Sequence, residues 1–198
     1  SILEKISESS GKLYVEAKFE FSNGNYEIAI KKLLQGVEEA DVKASFYSLL
    51  GEIEQAKGNS SLALNYYKKA NNFDPYWQKP LLKISQIEIS NSNYDFALTA
   101  LKLAEKVGGK TNSLASGKAQ YFSYRYQLAA ARDETISILQ TDPNQFDILV
   151  ALGIVELKAR NHQEALDFFT QALAIEPNYA KAYVFMAVAH LHANEVEQ

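Results

Sequence analysis

The sequence predicts an all-α chain of stacked helix–turn–helix repeats, and three observations carry that expectation. Alanine recurs at one phase of a 34-residue period, at Ala29, Ala63, Ala97, Ala131 and Ala165. A second phase holds only small residues: Ala17, Gly51, Ser85, Ala119, Gly153 and Ala187. At a third, Pro75, Pro143 and Pro177 recur, with Asp41 and Gly109 in the two remaining places. A fixed period of this length marks a helical repeat array. The small columns have a physical cause, because antiparallel helices packed at about 8–10 Å need small residues where they cross. Leu149, Leu152, Phe169 and Leu173 would fill the gaps on either side of Gly153 and Ala165. Leucine at either small position would overpack the crossing, at a cost of about 1–3 kcal/mol or more.

Residues 146–179, FDILVALGIVELKARNHQEALDFFTQALAIEPNY, hold the fullest version of the pattern: Leu149, Leu152, Gly153, Ala165, Phe169, Ala172 and Pro177. On these residues the chain resembles the tetratricopeptide-repeat family, over nearly its whole length. The resemblance implies a right-handed superhelical solenoid of antiparallel helix pairs. It would be a single domain over 1–198 with about five and a half repeats: 10–43, 44–77, 78–111, a degenerate 112–145, 146–179 and a partial 180–198.

Taken in order, residues 1–9 read as the remnant of an earlier helix or a short cap. In the first repeat Leu13, Ala17 and Phe19 mark one helix, the SNGN run at 22–25 a turn, and Ile28, Ala29, Leu33 and Val37 a second helix at helical spacing. The second repeat has Tyr47, Leu50, Gly51, a KGNS turn, Ala63, Tyr67 and Ala70, and ends at Pro75, which cannot continue a helix. The third has Leu81, Ile84, Ser85, an NSNY turn, Ala97, Leu101 and Ala104, and ends in Gly108-Gly109, a left-handed glycine cap in place of proline. The fourth departs most. Lys118 and Thr135 stand where large apolar and aromatic residues are usual, Gly117 lies inside a helix, and no glycine or asparagine marks a turn near Tyr126. The YQLAAARDE run there could stay helical, so the fourth repeat is expected to be distorted. From 180 the sixth repeat supplies only a first helix, AKAYVFMAVAHLHA, apolar nearly all round. That helix reads either as the flank of a further helix or as a surface for self-association over 180–193. Glu20, Glu54, Glu88 and Glu156 share one further phase, ending at His190. They read as a solvated rim, or as carboxylates accepting from Tyr26, Tyr94 or His162.

Composition narrows the function. With 198 residues and 47% hydrophobic content, the chain can bury a sizeable core. A net charge of −4, mixed along the sequence, argues against nucleic acid as the main partner. No apolar run is long enough to span a membrane. The absence of cysteine excludes disulfides, thiolate metal sites and cysteine nucleophiles. The cytoplasm and a bacterial periplasm both fit, and SILEKISESS carries no apolar signal core. Starting without methionine and stopping inside a repeat, the chain reads as a piece of a longer protein.

Catalytic and cofactor signals are missing. VGGKT at 107–111 resembles the end of a phosphate loop, but the preceding glycine is absent and LTALKLAEK is helical where a strand is required. His162, His190 and His192 offer no metal pair at helical spacing, and no serine sits in a nucleophile elbow. Asn59-Ser60-Ser61 fits a glycosylation acceptor. The chain is expected to be non-enzymatic, with no cofactor and no metal.

The family resemblance implies that first helices line a concave groove for a peptide or partner helix. Stepping by the period assigns Tyr14, Lys18, Ser48, Glu52, Lys79, Leu82, Lys83 and Gln86 to the first half of that groove. Val150, Ile154, Leu157, Val184, Val188 and Leu191 fall in the second. The first half reads as polar and basic, the second as apolar. A subgroup of the family grips the C-terminal carboxylate of heat-shock chaperones with lysines, asparagines and an arginine. Only Lys79 and Lys83 match that set, with lysine for arginine, while Tyr14, Lys18 and Leu49 occupy other places in it. That clamp is therefore not expected, although Lys18, Lys79 and Lys83 would favour an acidic segment. The expected function is a protein-interaction scaffold. The alternative is a structural segment of a longer bacterial repeat protein in a secretion, pilus or polysaccharide-export assembly.

Overall fold

A computed structural model of the protein describes residues 2–140 and 142–196, with side chains over 10–140 and 142–193. Among the described residues there are eleven helices and no strand. They are α1 (Ile2–Ser22), α2 (Tyr26–Val37), α3 (Lys43–Ala56), α4 (Ser60–Phe73), α5 (Gln78–Ser90), α6 (Tyr94–Gly108), α7 (Asn112–Tyr124), α8 (Leu128–Leu139), α9 (Phe146–Lys158), α10 (His162–Ile175) and α11 (Ala180–Val196). The backbone of 2–9 continues α1 and forms no separate cap. Each odd-numbered helix from α1 to α9 packs against the helix that follows it, and α10 packs on α11. Contacts between α5 and α7, α7 and α9, and α9 and α11 set the later first helices side by side. The result is an α-solenoid.

The two small columns form the seams inside the pairs. Ala29, Ala63, Ala97, Ala131 and Ala165 are all fully buried, and Ala17, Ser85 and Ala119 are buried with them. Tyr67 and Phe169 stand opposite Gly51 and Gly153, and by the same period Leu33, Leu101 and Thr135 take that place in the other pairs. Where the partner is aromatic the small residue is glycine. A Cβ on Gly51 would lie 2.7 Å from the Tyr67 ring, and one on Gly153 only 2.5 Å from the Phe169 ring. Ala187 does not follow its column into the core. It is exposed, because among the described residues no second helix covers that side of α11.

All five turns within pairs share one backbone form. Gly24, Gly58, Ser92, Tyr126 and Arg160, again one period apart, have φ of 78°, 84°, 61°, 55° and 65°. In each, the next residue's N–H donates to the carbonyl five residues back, as Asn59 does to Glu54 at 2.8 Å and Gln127 to Phe122 at 2.9 Å. This is a left-handed helix C-terminus of Schellman type.

The fourth repeat therefore breaks where the others break, and YQLAAARDE does not stay helical: Arg125–Gln127 form the turn although no glycine or asparagine marks it. Its odd residues are also accommodated. Lys118 reaches Glu105 of α6 at 3.0 Å and Glu134 of α8 at 3.5 Å. Thr135 is buried, and its hydroxyl donates to the Arg132 carbonyl at 2.8 Å. Gly117 lets α7 approach α6, since a Cβ there would come within 3.0 Å of Leu101. At the end of α6, Gly109 has φ 66° but ψ −163°, an extended glycine-only conformation and not the left-handed cap expected. The Gln78 amide closes that terminus, donating to the Ala104 and Gly109 carbonyls at 2.9 and 3.0 Å. The VGGKT run is thus a helix end.

Candidate groove on the first-helix face

The glutamate column is structural. Glu54, Glu88 and Glu156 are buried, not a rim. Their carboxylates accept from Asn59, Asn93 and Asn161 at 2.7, 2.8 and 2.8 Å, one residue before the donors the sequence suggested. Glu20 and Asn25 repeat the contact in an exposed setting at 2.8 Å. The asparagine engages the carboxylate of the glutamate whose carbonyl it also caps, so helix and turn are clasped twice. Asn59 uses its side-chain amide in this way, which takes up the nitrogen a glycan would need. A cation completes each buried site. Lys57 lies 3.5 Å from Glu54, Lys68 of α4 lies 3.3 Å from Glu88 of α5, and Arg132 of α8 forks onto both oxygens of Glu156 on α9. The last two pairs join consecutive helix pairs. The fourth repeat has Phe122 and Gln127 in these places and lacks the clasp.

The groove residues expected from sequence divide by phase. Tyr14, Ser48, Leu82, Val150 and Val184 share one phase; Ser48 and Val150 are buried, and Tyr14 and Leu82 are half-buried. This phase faces the neighbouring first helix, so Val150 belongs to the core with Leu149 and Phe169 and cannot line a groove. Leu157 is also buried, at 9% exposure, and shows only an edge to the surface. Lys18 and Gln86, from the next phase, are exposed, while Glu52, Ile154 and Val188 are half-buried. Lys79 is half exposed, and its ammonium meets Glu52 of α3 at 2.6 Å. Lys83 is half-buried on α5. Val184 and Leu191 are exposed together with Tyr183, giving α11 an uncovered apolar side.

The hollow that does form lies along α7, α9 and α11. Its volume is about 180 Å³, and Ala119, Ala151, Ile154, Val155 and Phe185 give it an apolar floor. Ser116, Gln120, Ser123, Tyr124, Lys158 and Lys181 supply the polar wall. A second hollow of about 580 Å³ continues past Ile154 and Lys158 to the α9–α10 turn, where Tyr126, Arg160, His162 and His192 border it. The Lys158 ammonium lies 4.1 Å from the Tyr124 ring centroid and donates to the Ser123 carbonyl at 3.3 Å. Burial pushes Lys158 below the ordinary lysine range. Burial also lowers Lys181, with Asp147 offsetting part of the shift. Of the sequence expectations only Ile154 and the edge of Leu157 border these hollows. Ser116 and Gln120 were reachable by the same stepping, one period beyond Leu82 and Gln86. Lys181 and Phe185 were reachable too, three periods beyond Lys79 and Lys83, whereas Lys158 lies off every expected phase and only the packing of the helices brings it beside them.

Helix pairs and seams together define a helical-repeat protein, an α-solenoid. A sequence profile of the tetratricopeptide-repeat family matches residues 156–198. The chain is 28% identical over 141 residues to the Arabidopsis thaliana protein CTR9 homolog, covering 69% of this chain. It is 22% identical over 174 residues to the BBSome complex member BBS4 of Bos taurus, covering 88%. It spans only 13% and 34% of the lengths of those two curated relatives. Among solved structures, TTC0263, a tetratricopeptide-repeat protein of Thermus thermophilus, superposes with a TM-score of 0.77 at 19% identity, over 92% of this chain and 99% of that one. YrrB, described as having an unusual peptide-binding site, superposes with a TM-score of 0.60 at 17% identity, over 92% and 90%. Among the described residues no helix is long and apolar enough to cross a membrane.

Proposed function

We propose that this chain is a non-enzymatic scaffold that holds a peptide or partner helix along the open face of α7, α9 and α11. The observation that carries this reading is the hollow itself: an apolar floor of Ile154 and Phe185 with hydrogen-bonding groups along one wall. A concave, mostly apolar cleft with a few placed polar groups is the usual form of a recognition site. The peptide-binding site named for YrrB lies on a similar fold and supports the reading further. An extended or helical segment would bury its apolar residues on the floor and meet Gln120 and Ser116 with its polar ones.

The test uses peptides selected on the folded protein from a displayed random library. Photo-cross-linking from position 120 should capture the selected peptides. Ile154→Asp should weaken them by about tenfold or more, since a charge is placed in the apolar floor, while circular dichroism stays unchanged. Undiminished binding to Ile154→Asp rejects the groove.

A further inference from the structure

Two of the cations along this groove, Lys158 and Arg160, meet no carboxylate among the described residues, and Lys181 has only Asp147 in electrostatic reach. Lys68, Lys79, Lys118 and Arg132 each meet a glutamate. Yet among the described residues no aspartate or glutamate lines either hollow, whereas Lys158, Lys181, Arg160, His162 and His192 do. Lys158 makes do with a carbonyl and a ring face. A second, independent observation comes from Ser123. Its side chain lines the hollow at 3% exposure, and its hydroxyl has no hydrogen-bond partner. A buried hydroxyl left unmatched is costly, and here it sits beside an ammonium group that also lacks an anion.

We propose that the α9–α11 end of the groove takes an acidic peptide segment, whose carboxylates seat among Lys158, Arg160 and Lys181 with one oxygen accepting from the Ser123 hydroxyl. The proposal rests on the groove reading above and names the chemistry of its occupant. Charge-assisted hydrogen bonds in a partly desolvated cleft are the strong ones. The depressed Lys158 and Lys181 fit a site waiting for an anion, because an incoming carboxylate would reverse the effect of burial. The sequence placed the basic residues in the first half, where Lys79 meets Glu52; Lys158, Arg160 and Lys181 add a second basic group at the other end.

Peptides retained from the random library should be rich in aspartate and glutamate. The tightest, made with a fluorescein label, should lose about tenfold or more in affinity to a Lys158→Gln, Arg160→Gly double variant. Replacing the peptide's own acids by amides should cost a similar factor, and added salt should weaken the wild-type complex. Arg160→Gly suits the turn, because glycine occupies the same position at Gly24 and Gly58. An unchanged thermal midpoint would verify the fold. Retained peptides that are neutral or basic, or acidic ones indifferent to the double variant, overturn the proposal. If neutral peptides bind and are lost in Ile154→Asp, the groove stands and only the acidic partner falls. Acidic peptides that ignore Ile154→Asp remove the groove reading, and a library that yields nothing removes both.

Discussion

Gly153 shows why a single hydrogen can be a structural decision. The Phe169 ring is fully buried and passes so close that any Cβ at 153 would collide with it. Gly51 and Tyr67 repeat the arrangement, while alanine or serine faces leucine or threonine in the other pairs. The two residues of a pair are therefore one packing unit, and their substitutions should not add. Gly153→Ala should cost about 1–3 kcal/mol by overpacking, and Phe169→Leu a comparable amount through lost volume. The double variant, which recreates the size match of Ala17 with Leu33, should recover about 1 kcal/mol or more of that sum. Urea unfolding of the four proteins measures the cycle, and strict additivity would mean that the two side chains do not compete for one space.

At the scale of the element, each turn keeps its shape for reasons stronger than local preference. Ser92, Tyr126 and Arg160 all accept positive φ, a conformation that disfavours side chains. In the third and fifth pairs the Glu88–Asn93 and Glu156–Asn161 clasps hold the helix to the turn. Tyr126 has no such support, because Phe122 and Gln127 replace glutamate and asparagine. The α7–α8 seam also holds Thr135 where its neighbours hold leucine or phenylalanine, so it buries less apolar surface. Both features point to local opening. Amides of α8 should exchange faster than those of α10 under native conditions, read by mass spectrometry or NMR. Equal protection would show that Lys118, held between Glu105 and Glu134, makes up the difference.

At the scale of the whole molecule, among the described residues α11 has an apolar side that no other helix covers. Tyr183, Val184, Ala187 and Leu191 of α11 face solvent, where α3, α5, α7 and α9 each have a second helix. Large exposed apolar patches mark interaction sites, and the expectation of self-association over 180–193 falls on this surface. Sedimentation velocity should show a concentration-dependent increase that Val184→Asp with Leu191→Asp abolishes. A single monomeric species at every concentration would dismiss it.

Much of this protein was legible in its letters, because a repeat states its geometry several times. The period, the alanine and small-residue columns, and the helical content all follow from them. Small residues are needed wherever helices cross, so these columns announce the seams even without coordinates. The turn at Tyr126 was illegible, because its own residues do not favour it; the four similar turns and the packing of α7 on α8 impose it. The glutamate column was visible but misplaced. Burial of its carboxylates depends on asparagines across a left-handed turn and on cations such as Lys68 and Arg132 from the preceding pair. The hollow was legible only in part: Ser123 lies one period before Leu157 and Lys181 three periods beyond Lys79, but Lys158 shares no expected phase. Ser123, Lys158 and Lys181 lie on three different helices and at three different phases. Only the stacking of those helices converts them into neighbours, and only that stacking shows which cations have already been neutralised and which have not.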